Sequence, residues 1–378
     1  MDIETVLGRG VSDVLPSREA LAKLMEERPI TLYQGFDPTA PSLHIGHFIG
    51  IRKLAQFQKL GHKVIFLIGD GTGQAGDPSG KTKAREKFFT NAELRKNAQG
   101  YKDQVAHMVE FSGKDKAELK YNSEWLNELG LVSLLDIAGH FTVQQLIERD
   151  LFQKRIASNE PINLREFLYP LLQGYDSVAM DVDLEIGGTD QLFNMMSGRT
   201  LMKSMLNKNK FILTTKLLTD AEGKKMGKSE GNAMNLSDPA EQIYGSMMAL
   251  PDEIIDSMVE LLTDFPLDFR QNKDPMSAKK EIAFNVTKQI KGSAEAKKAQ
   301  AHFEKTFQKK APEYKEKIEN KGRLVDTLLE ITGSKSEVKR LLKHGAISVN
   351  GRLANNPTAS VRSGDRIKVG VKKFVIVK

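Results

Sequence analysis

The sequence contains no cysteine, which excludes disulfides, thiolate nucleophiles and any Cys-ligated zinc or iron–sulfur centre. Its seven histidines are scattered and none has HExxH-type spacing, so no structural metal site is expected. No apolar run approaches the roughly 20 residues of a membrane helix. The most apolar stretch, Val64-Ile65-Phe66-Leu67-Ile68, has the length of a strand. An N-terminal apolar signal segment is lacking too, and a cytoplasmic protein without membrane contact is expected. There are no internal repeats and no low-complexity segments. What remains is a 378-residue chain with 40% hydrophobic residues. That suffices for two or three cores at roughly 100–150 residues each.

Charge is unevenly placed. Residues 322–378 hold 12 Lys/Arg against 4 Asp/Glu, and residues 277–321 hold 12 Lys against 6 Glu, +14 together. With the whole chain at +7, residues 1–276 are left at −7. An acidic body with a basic rear third fits polyanion binding at the C-terminal side, or a solvated Lys-rich surface. Charge alone does not choose between them.

The most informative stretch is residues 31–47, TLYQGFDPTAPSLHIGH. Residues 30–33 have strand character and run through Gly35 into a turn bracketed by Pro38 and Pro41. Ser42 is placed to cap a helix whose apolar residues Ile45, Phe48, Ile49, Leu54 and Phe57 recur at helical spacing. The imidazoles of His44 and His47 then sit where unpaired amides and the helix dipole favour an anion. Gly46 between them lets a flat ring or a phosphate approach the backbone. A nucleotide suits such a site.

A second strand over 63–68 ends in a Gly-rich loop, residues 69–81, which is not a Walker A sequence. It fits either a phosphate cradle or a tight surface turn. Strand, helix, strand and glycine loop in that order predict a parallel α/β sheet with ligands at the strand C-terminal ends. Helical patterns fill 91–178. Residues 182–187 alternate like a strand, and 211–213 form a last strand before the loop Lys224-Lys225-Met226-Gly227-Lys228-Ser229. Residues 239–319 read as helices, with a linker from Pro312 to Lys321. The last segment, 323–378, differs. Two short helices, the second exposing Lys335, Lys339, Arg340 and Lys343, precede an Asn350-Gly351 hairpin and two more strands.

Two groupings point to chemistry. On the helix expected near 164–178, Leu164, Phe167, Leu168, Leu171, Leu172 and Tyr175 form an apolar stripe expected to pack in the core. Tyr169, Gln173 and Asp176 form a second, polar stripe, fit to line a pocket for a small polar molecule or to face solvent. Pro170 is expected to kink that helix or to start it. Lys225 and Lys228 in a Gly-flanked loop, with Lys81 and Arg85 after the earlier loop, could meet the charge of a phosphoryl-transfer transition state. Taken singly, each is an ordinary surface lysine or arginine.

In combination these features are more specific. His44-Ile45-Gly46-His47, followed about 180 residues later by Lys225-Met226-Gly227-Lys228-Ser229, resembles the paired HIGH and KMSKS signatures of class I aminoacyl-tRNA synthetases. Within that class, residues 33–39 (YQGFDPT), 76–80 (GDPSG), 173–176 (QGYD) and 187–191 (GGTDQ) are similar to the tyrosine enzymes, in a spacing closer to the bacterial Haemophilus-type subgroup. The C-terminal module resembles the RNA-binding fold shared with small-subunit ribosomal protein four. The resemblance covers essentially the whole chain. It implies a Rossmann-like parallel-sheet catalytic domain over 1–235 with a helical insertion at about 91–160. A helical anticodon-side domain and linker over 236–320 and an α+β RNA-binding domain over 321–378 would follow.

The resemblance also implies an activity and roles. The family activates tyrosine with ATP to tyrosyl-adenylate and pyrophosphate, then transfers the tyrosyl group to the 3′ end of tRNA(Tyr). His44 and His47, with Lys225 and Lys228, would be catalytic. Thr39, Gly46, Lys81, Arg85, Gly187, Gly188, Asp190 and Ser229 would contact ATP. Asp37 and Gln191 would flank the reacting carboxylate and adenylate. Asp77, Tyr169 and Gln173 would hold the α-ammonium group, and Tyr33 and Asp176 the phenolic hydroxyl. Lys335, Lys339, Arg340 and Lys343 would meet tRNA. ATP would enter with Mg²⁺ as its substrate complex, with no prosthetic group, and the chain would form a homodimer. Gly227 departs from the usual Ser but leaves both lysines, and Gln34 is assigned no role. Two alternatives stay open: a tryptophan-specific relative, and a synthetase-like RNA-binding protein without catalysis.

Overall fold

Six strands form one sheet: β1 (Val11–Leu15), β2 (Thr31–Phe36), β3 (Lys63–Ile68), β4 (Glu118–Tyr121), β5 (Leu184–Gly188) and β6 (Phe211–Thr215), in the order β1-β6-β5-β2-β3-β4. All neighbours run parallel except β1, which lies antiparallel to β6. The chain is seen in a computed structural model that describes residues 2–79, 88–219, 234–308, 314, 316–370 and 373–378. Lys81, Arg85, Lys225, Gly227, Lys228, Ser229 and Pro312 lie outside the described residues.

The central strands read as continuous apolar runs because both sheet faces are covered. Val64 to Ile68 are all buried, and so are Phe48, Ile49, Ile51, Leu54 and Phe57 of the Ile45–Lys59 helix that crosses from β2 to β3. Two strands of this sheet differ from the sequence expectation. β4 lies inside the stretch read as helical, its four residues held by pairing with β3, so tertiary context outweighs its weak local signal. β1 adds an antiparallel edge, with a register shift between Val11 and Asp13. The Leu164–Met180 helix is capped by Asn163 and runs through Pro170, neither starting nor stopping there.

The chain forms two compact units, residues 1–300 and 301–378. The first unit continues beyond the sheet in helices Ala240–Met248, Ile255–Leu262 and Pro275–Lys291. These helices are tied to the Ile45–Lys59 helix through Arg52, which donates to the Leu261 carbonyl (2.8 Å), Asp264 Oδ1 (2.6 Å) and Gln289 Oε1 (2.8 Å).

The second unit has its own sheet, β7 (Glu316–Ile318), β8 (Ile347–Val349), β9 (Arg352–Leu353), β10 (Arg366–Val369) and β11 (Lys373–Val377), in the order β7-β11-β10-β8-β9. Its core includes Leu324, Leu328, Val338, Leu342, Ile347, Ile367 and Val375. Asn350 and Gly351 take φ of 50° and 80° and join β8 to β9, the two positive angles that favour Asn-Gly in a tight hairpin. The Lys335–Lys343 helix buries Val338 and Leu342 and exposes Lys335, Lys339, Arg340 and Lys343. Among the described residues no helix is long and apolar enough to cross a membrane.

Candidate active site

The C-terminal ends of β2, β3 and β5 open onto a cleft with a volume of about 310 Å³, the usual ligand position in a parallel sheet. The Ile45–Lys59 helix begins at this cleft, and its cap is His44, not Ser42. The Gly46 N–H donates to His44 Nδ1 (3.1 Å) and the His44 N–H donates to His47 Nδ1 (3.2 Å). The Ser42 hydroxyl donates instead to the Leu43 carbonyl at 2.9 Å. The two rings stack with centroids 3.8 Å apart and planes 19° apart. Since each Nδ1 accepts, the hydrogen of each neutral ring sits on Nε2. Both rings line the cleft, so imidazole donors and the helix dipole would act together on any anion placed there. Gly46 also lines it, and a Cβ there would come 3.0 Å from the His44 ring. Beside this helix start, the Ile45 N–H donates to Met234 O (3.0 Å) and the Leu236 N–H to Leu43 O (2.8 Å).

Two carboxylates stand on the loops after β2 and β3. Asp37 accepts from Thr72 Oγ1 (2.7 Å) and Tyr169 Oη (3.0 Å). A Cβ on Gly69 would sit 2.0 Å from Asp37 Oδ1, so glycine is required there. Asp77 accepts from Gln191 Nε2 (2.9 Å) and the Ser79 N–H (2.9 Å). Asn194 Nδ2 in turn holds Gln191 Oε1 at 2.9 Å, and Arg149 Nη2 holds Ser79 Oγ at 3.1 Å. The Gly-rich loop is thus a wall of the cleft rather than a surface turn. Thr39, Gly187, Gly188 and Asp190 complete the lining, with Asp190 Oδ1 only 2.6 Å from where a Cβ on Gly188 would lie.

The Leu164–Met180 helix overturns one expectation. Leu164 is 75% exposed, Phe167, Leu168, Leu172 and Tyr175 are half-covered, and of that stripe only Leu171 is buried. The polar stripe faces inward instead, because the interior on that side is a cavity with polar partners. Asp176 accepts from Asn122 Nδ2 (3.0 Å) and Trp125 Nε1 (2.8 Å), and Gln173 Nε2 donates to Glu185 Oε1 (2.9 Å). Burial pushes the Asp176 carboxyl well up, against the pull of those two donors. It also raises the Tyr169 phenol, helped by Asp37 and Asp77, and the Tyr33 phenol, helped by Glu185 and Asp176. Tyr33 Oη lies 2.9 Å from Ser177 Oγ.

Several residues at or beneath the cleft carried no sequence signal. Glu185 pairs with the buried Lys210, and Gln34 lies where a Cβ on Gly50 would come within 2.1 Å. Asn122 follows β4, a strand the local pattern hides.

The family model for class I tRNA synthetases (W and Y) matches residues 25–308, and the S4 domain matches residues 323–367. The tyrosine–tRNA ligase of Aquifex aeolicus is 38% identical, over 98% of this chain and 96% of its own length. That of Haemophilus influenzae is 38% identical over 100% and 98%. The chain belongs to the tyrosine–tRNA ligase family. Family membership agrees with the resemblance read from the motifs, the Haemophilus type included. A C-terminally truncated mitochondrial tyrosyl-tRNA synthetase of Aspergillus nidulans is similar with a TM-score of 0.70 at 25% identity, over 81% of this chain and 94% of that one. The Archaeoglobus fulgidus tyrosyl-tRNA synthetase complexed with L-tyrosine shares the fold, with a TM-score of 0.61 at 20% identity over 79% and 98%.

Proposed function

We propose that this protein is a ligase that joins L-tyrosine to ATP as tyrosyl-adenylate, releases pyrophosphate, and passes the tyrosyl group to the 3′-terminal ribose of tRNA(Tyr). The observation that carries this reading is a single cleft holding the stacked His44 and His47 together with buried Tyr33 and Asp176. A phenol satisfies both buried groups, whereas phenylalanine leaves them unpaired, a rule for which tyrosyl-tRNA synthetases are themselves the usual illustration. An indole offers only one N–H, which disfavours the tryptophan alternative.

In the first step a tyrosine carboxylate oxygen attacks the α-phosphorus and the bond to pyrophosphate breaks. Asp77, Tyr169 and Gln173 surround the ammonium group, and Asp37 and Gln191 flank the carboxylate. Asp190 takes the ribose hydroxyls, with Gly187 and Gly188 allowing close approach. His44, His47 and Thr39 meet the phosphates, where fixed donors act on charge as it develops. ATP arrives as its magnesium complex. Lys81, Arg85, Lys225, Lys228 and Ser229 are assigned to the phosphates from the motif. Support comes from the flanks of those segments: Ser79 and Leu218 line the cleft, and Met234 is bonded to Ile45.

The catalytic part is read as 1–235 with its insertion at about 91–160, the anticodon-side helices and linker as 236–320, and the tRNA-binding module as 321–378. Leu131, Val132, Leu135 and Leu164 are 72%, 81%, 61% and 75% exposed. An apolar surface of this kind fits a homodimer interface. A cytoplasmic location fits the function. Pyrophosphate exchange with ATP-magnesium and each amino acid in turn tests the reading. Exchange with tyrosine is expected; exchange with tryptophan alone, or with nothing, would overturn it.

A further inference from the structure

Beneath the cleft lies an ion pair that the steps above do not use. Glu185 on β5 and Lys210 just before β6 are both buried. Lys210 Nζ bonds Glu185 Oε2 and, at 2.9 Å, Ser177 Oγ. Gly198 leaves the space: a Cβ there would lie 2.4 Å from Lys210 Nζ and 2.9 Å from Ser177 Oγ. We propose that Lys210 is a positioning residue that sets the direction of the hydrogen bonds at two polar walls of the amino-acid pocket. The inference rests on the tyrosine reading of that pocket and deepens it.

The direction follows from what each group can do. An ammonium only donates, so Ser177 Oγ accepts from Lys210. The Ser177 hydroxyl then gives its own hydrogen to Tyr33 Oη, 2.9 Å away. Tyr33 then keeps its own hydrogen for an acceptor other than Ser177, and Tyr33 and Asp176 both line the cleft. At the second wall, a carboxylate paired with an ammonium only accepts, so Glu185 Oε1 takes the Gln173 Nε2 hydrogen at 2.9 Å. Gln173 lines the cleft, and its Oε1 is buried without a partner among the described residues. A buried orphan acceptor is costly unless a ligand completes it, and a substrate ammonium supplies the missing donor.

Both assignments fail together without the lysine. Ser177 could then accept from Tyr33, turning the phenol hydrogen away from the pocket. Glu185 would be an uncompensated buried carboxylate competing for that same hydrogen.

The test is pyrophosphate exchange by the full-length protein with tyrosine and with phenylalanine. Wild-type exchange with tyrosine tests the reading of the cleft, and the variants test Lys210. Lys210→Met/Glu185→Leu removes both charges, so neither is left buried alone. Its tyrosine-over-phenylalanine ratio of kcat/KM is expected to fall about tenfold or more, and KM for both amino acids to rise about tenfold. KM for ATP is expected to stay within about twofold, which a general loosening of the cleft would not allow. Lys210→Met/Glu185→Gln, which keeps the shape of the glutamate, serves if the first double variant does not fold, and its ratio should fall similarly because Ser177 again lacks the ammonium that fixes its direction. A folded variant of either kind that keeps the wild-type ratio, or that raises KM for ATP as much as for tyrosine, overturns the proposal.

Discussion

His44 caps a helix and is proposed to meet phosphate, and a single substitution separates the two roles. Its Nδ1 accepts the Gly46 N–H at 3.1 Å. Asparagine is among the best N-cap residues, so His44→Asn keeps an acceptor for the helix and removes only the ring's Nε2 donor. His44→Ala removes both. A cap contributes about 1 kcal/mol, which in a chain of this size is a shift of about 2 °C in thermal midpoint. A donor aimed at charge developing in the transition state contributes about 3 kcal/mol, roughly a hundredfold in rate. His44→Asn is therefore expected to melt within about 1 °C of wild type while losing roughly a hundredfold in kcat for tyrosine-dependent pyrophosphate exchange. His44→Ala should lose the same rate and melt about 2 °C lower. Differential scanning calorimetry and the exchange assay on the same preparations decide it. If His44→Asn melts as low as His44→Ala, the ring is not the cap. If it keeps the wild-type rate, Nε2 does not meet the reacting phosphates.

Three further outcomes are expected. Lys53 is 4% exposed, donates to the Val6 carbonyl at 2.6 Å, and has its amine pushed down to about 7 by burial and then by Arg52 and Arg9. Between there and its ordinary value of 10.5 the unfolded chain binds more protons than the folded one, so stability should rise with pH by up to about 1.4 kcal/mol per unit. Urea unfolding at pH 7.5 and 9 should show that rise in wild type and a flatter profile in Lys53→Met; equal slopes would refute it. In the second unit Lys335 pairs with Asp326 (2.7 Å) and Arg340 with Glu337 (2.6 Å), so Lys339 and Lys343 are the cations to change. Lys339→Glu/Lys343→Glu should raise KM for tRNA about tenfold, more at low salt, and leave pyrophosphate exchange intact; a matching loss of exchange would count against a tRNA role. Val132→Asp should give a monomer by light scattering, with KM for tyrosine raised more than KM for ATP. A dimer of unchanged stability would place the interface elsewhere.

What the sequence reveals depends on whether a pattern is local. β3 is legible because five consecutive apolar residues need burial on both faces, and the Ile45–Lys59 helix because its apolar spacing is regular. Its cap is misread because histidine is a rare capping residue and Ser42 a common one. β4 hides because its four residues are held by pairing with β3, and with it hides Asn122, which reaches Asp176 across 54 positions. Lys210 is legible only in space. Its partners Glu185 and Ser177 lie 25 and 33 positions away, and no periodicity links three polar residues on three elements. Asp37 and Asp77 are legible through the resemblance alone, since isolated aspartates in turns look alike.

The reversal on the Leu164–Met180 helix is the most consequential of these differences. An apolar stripe implies a covering surface but not that the same chain supplies it. Here Tyr169 and Asp176 are buried against the cleft while Leu164 is 75% exposed. The two faces are joined through Leu171, which packs with Ile137, Leu146 and Leu201, against which Phe167 and Tyr175 also rest. Ile137 belongs to the Leu131–Gly139 helix, which carries the exposed Leu131, Val132 and Leu135. One layer of side chains therefore separates the proposed dimer surface from the residues proposed to bind the amino acid. Leaving that surface in water would permit the helix to shift, and Gln173 and Asp176 would shift with it. The His44–His47 pair is carried by a different helix, anchored through Arg52 to Leu261, Asp264 and Gln289. Loss of the dimer should therefore be felt first at the amino acid and only later at ATP.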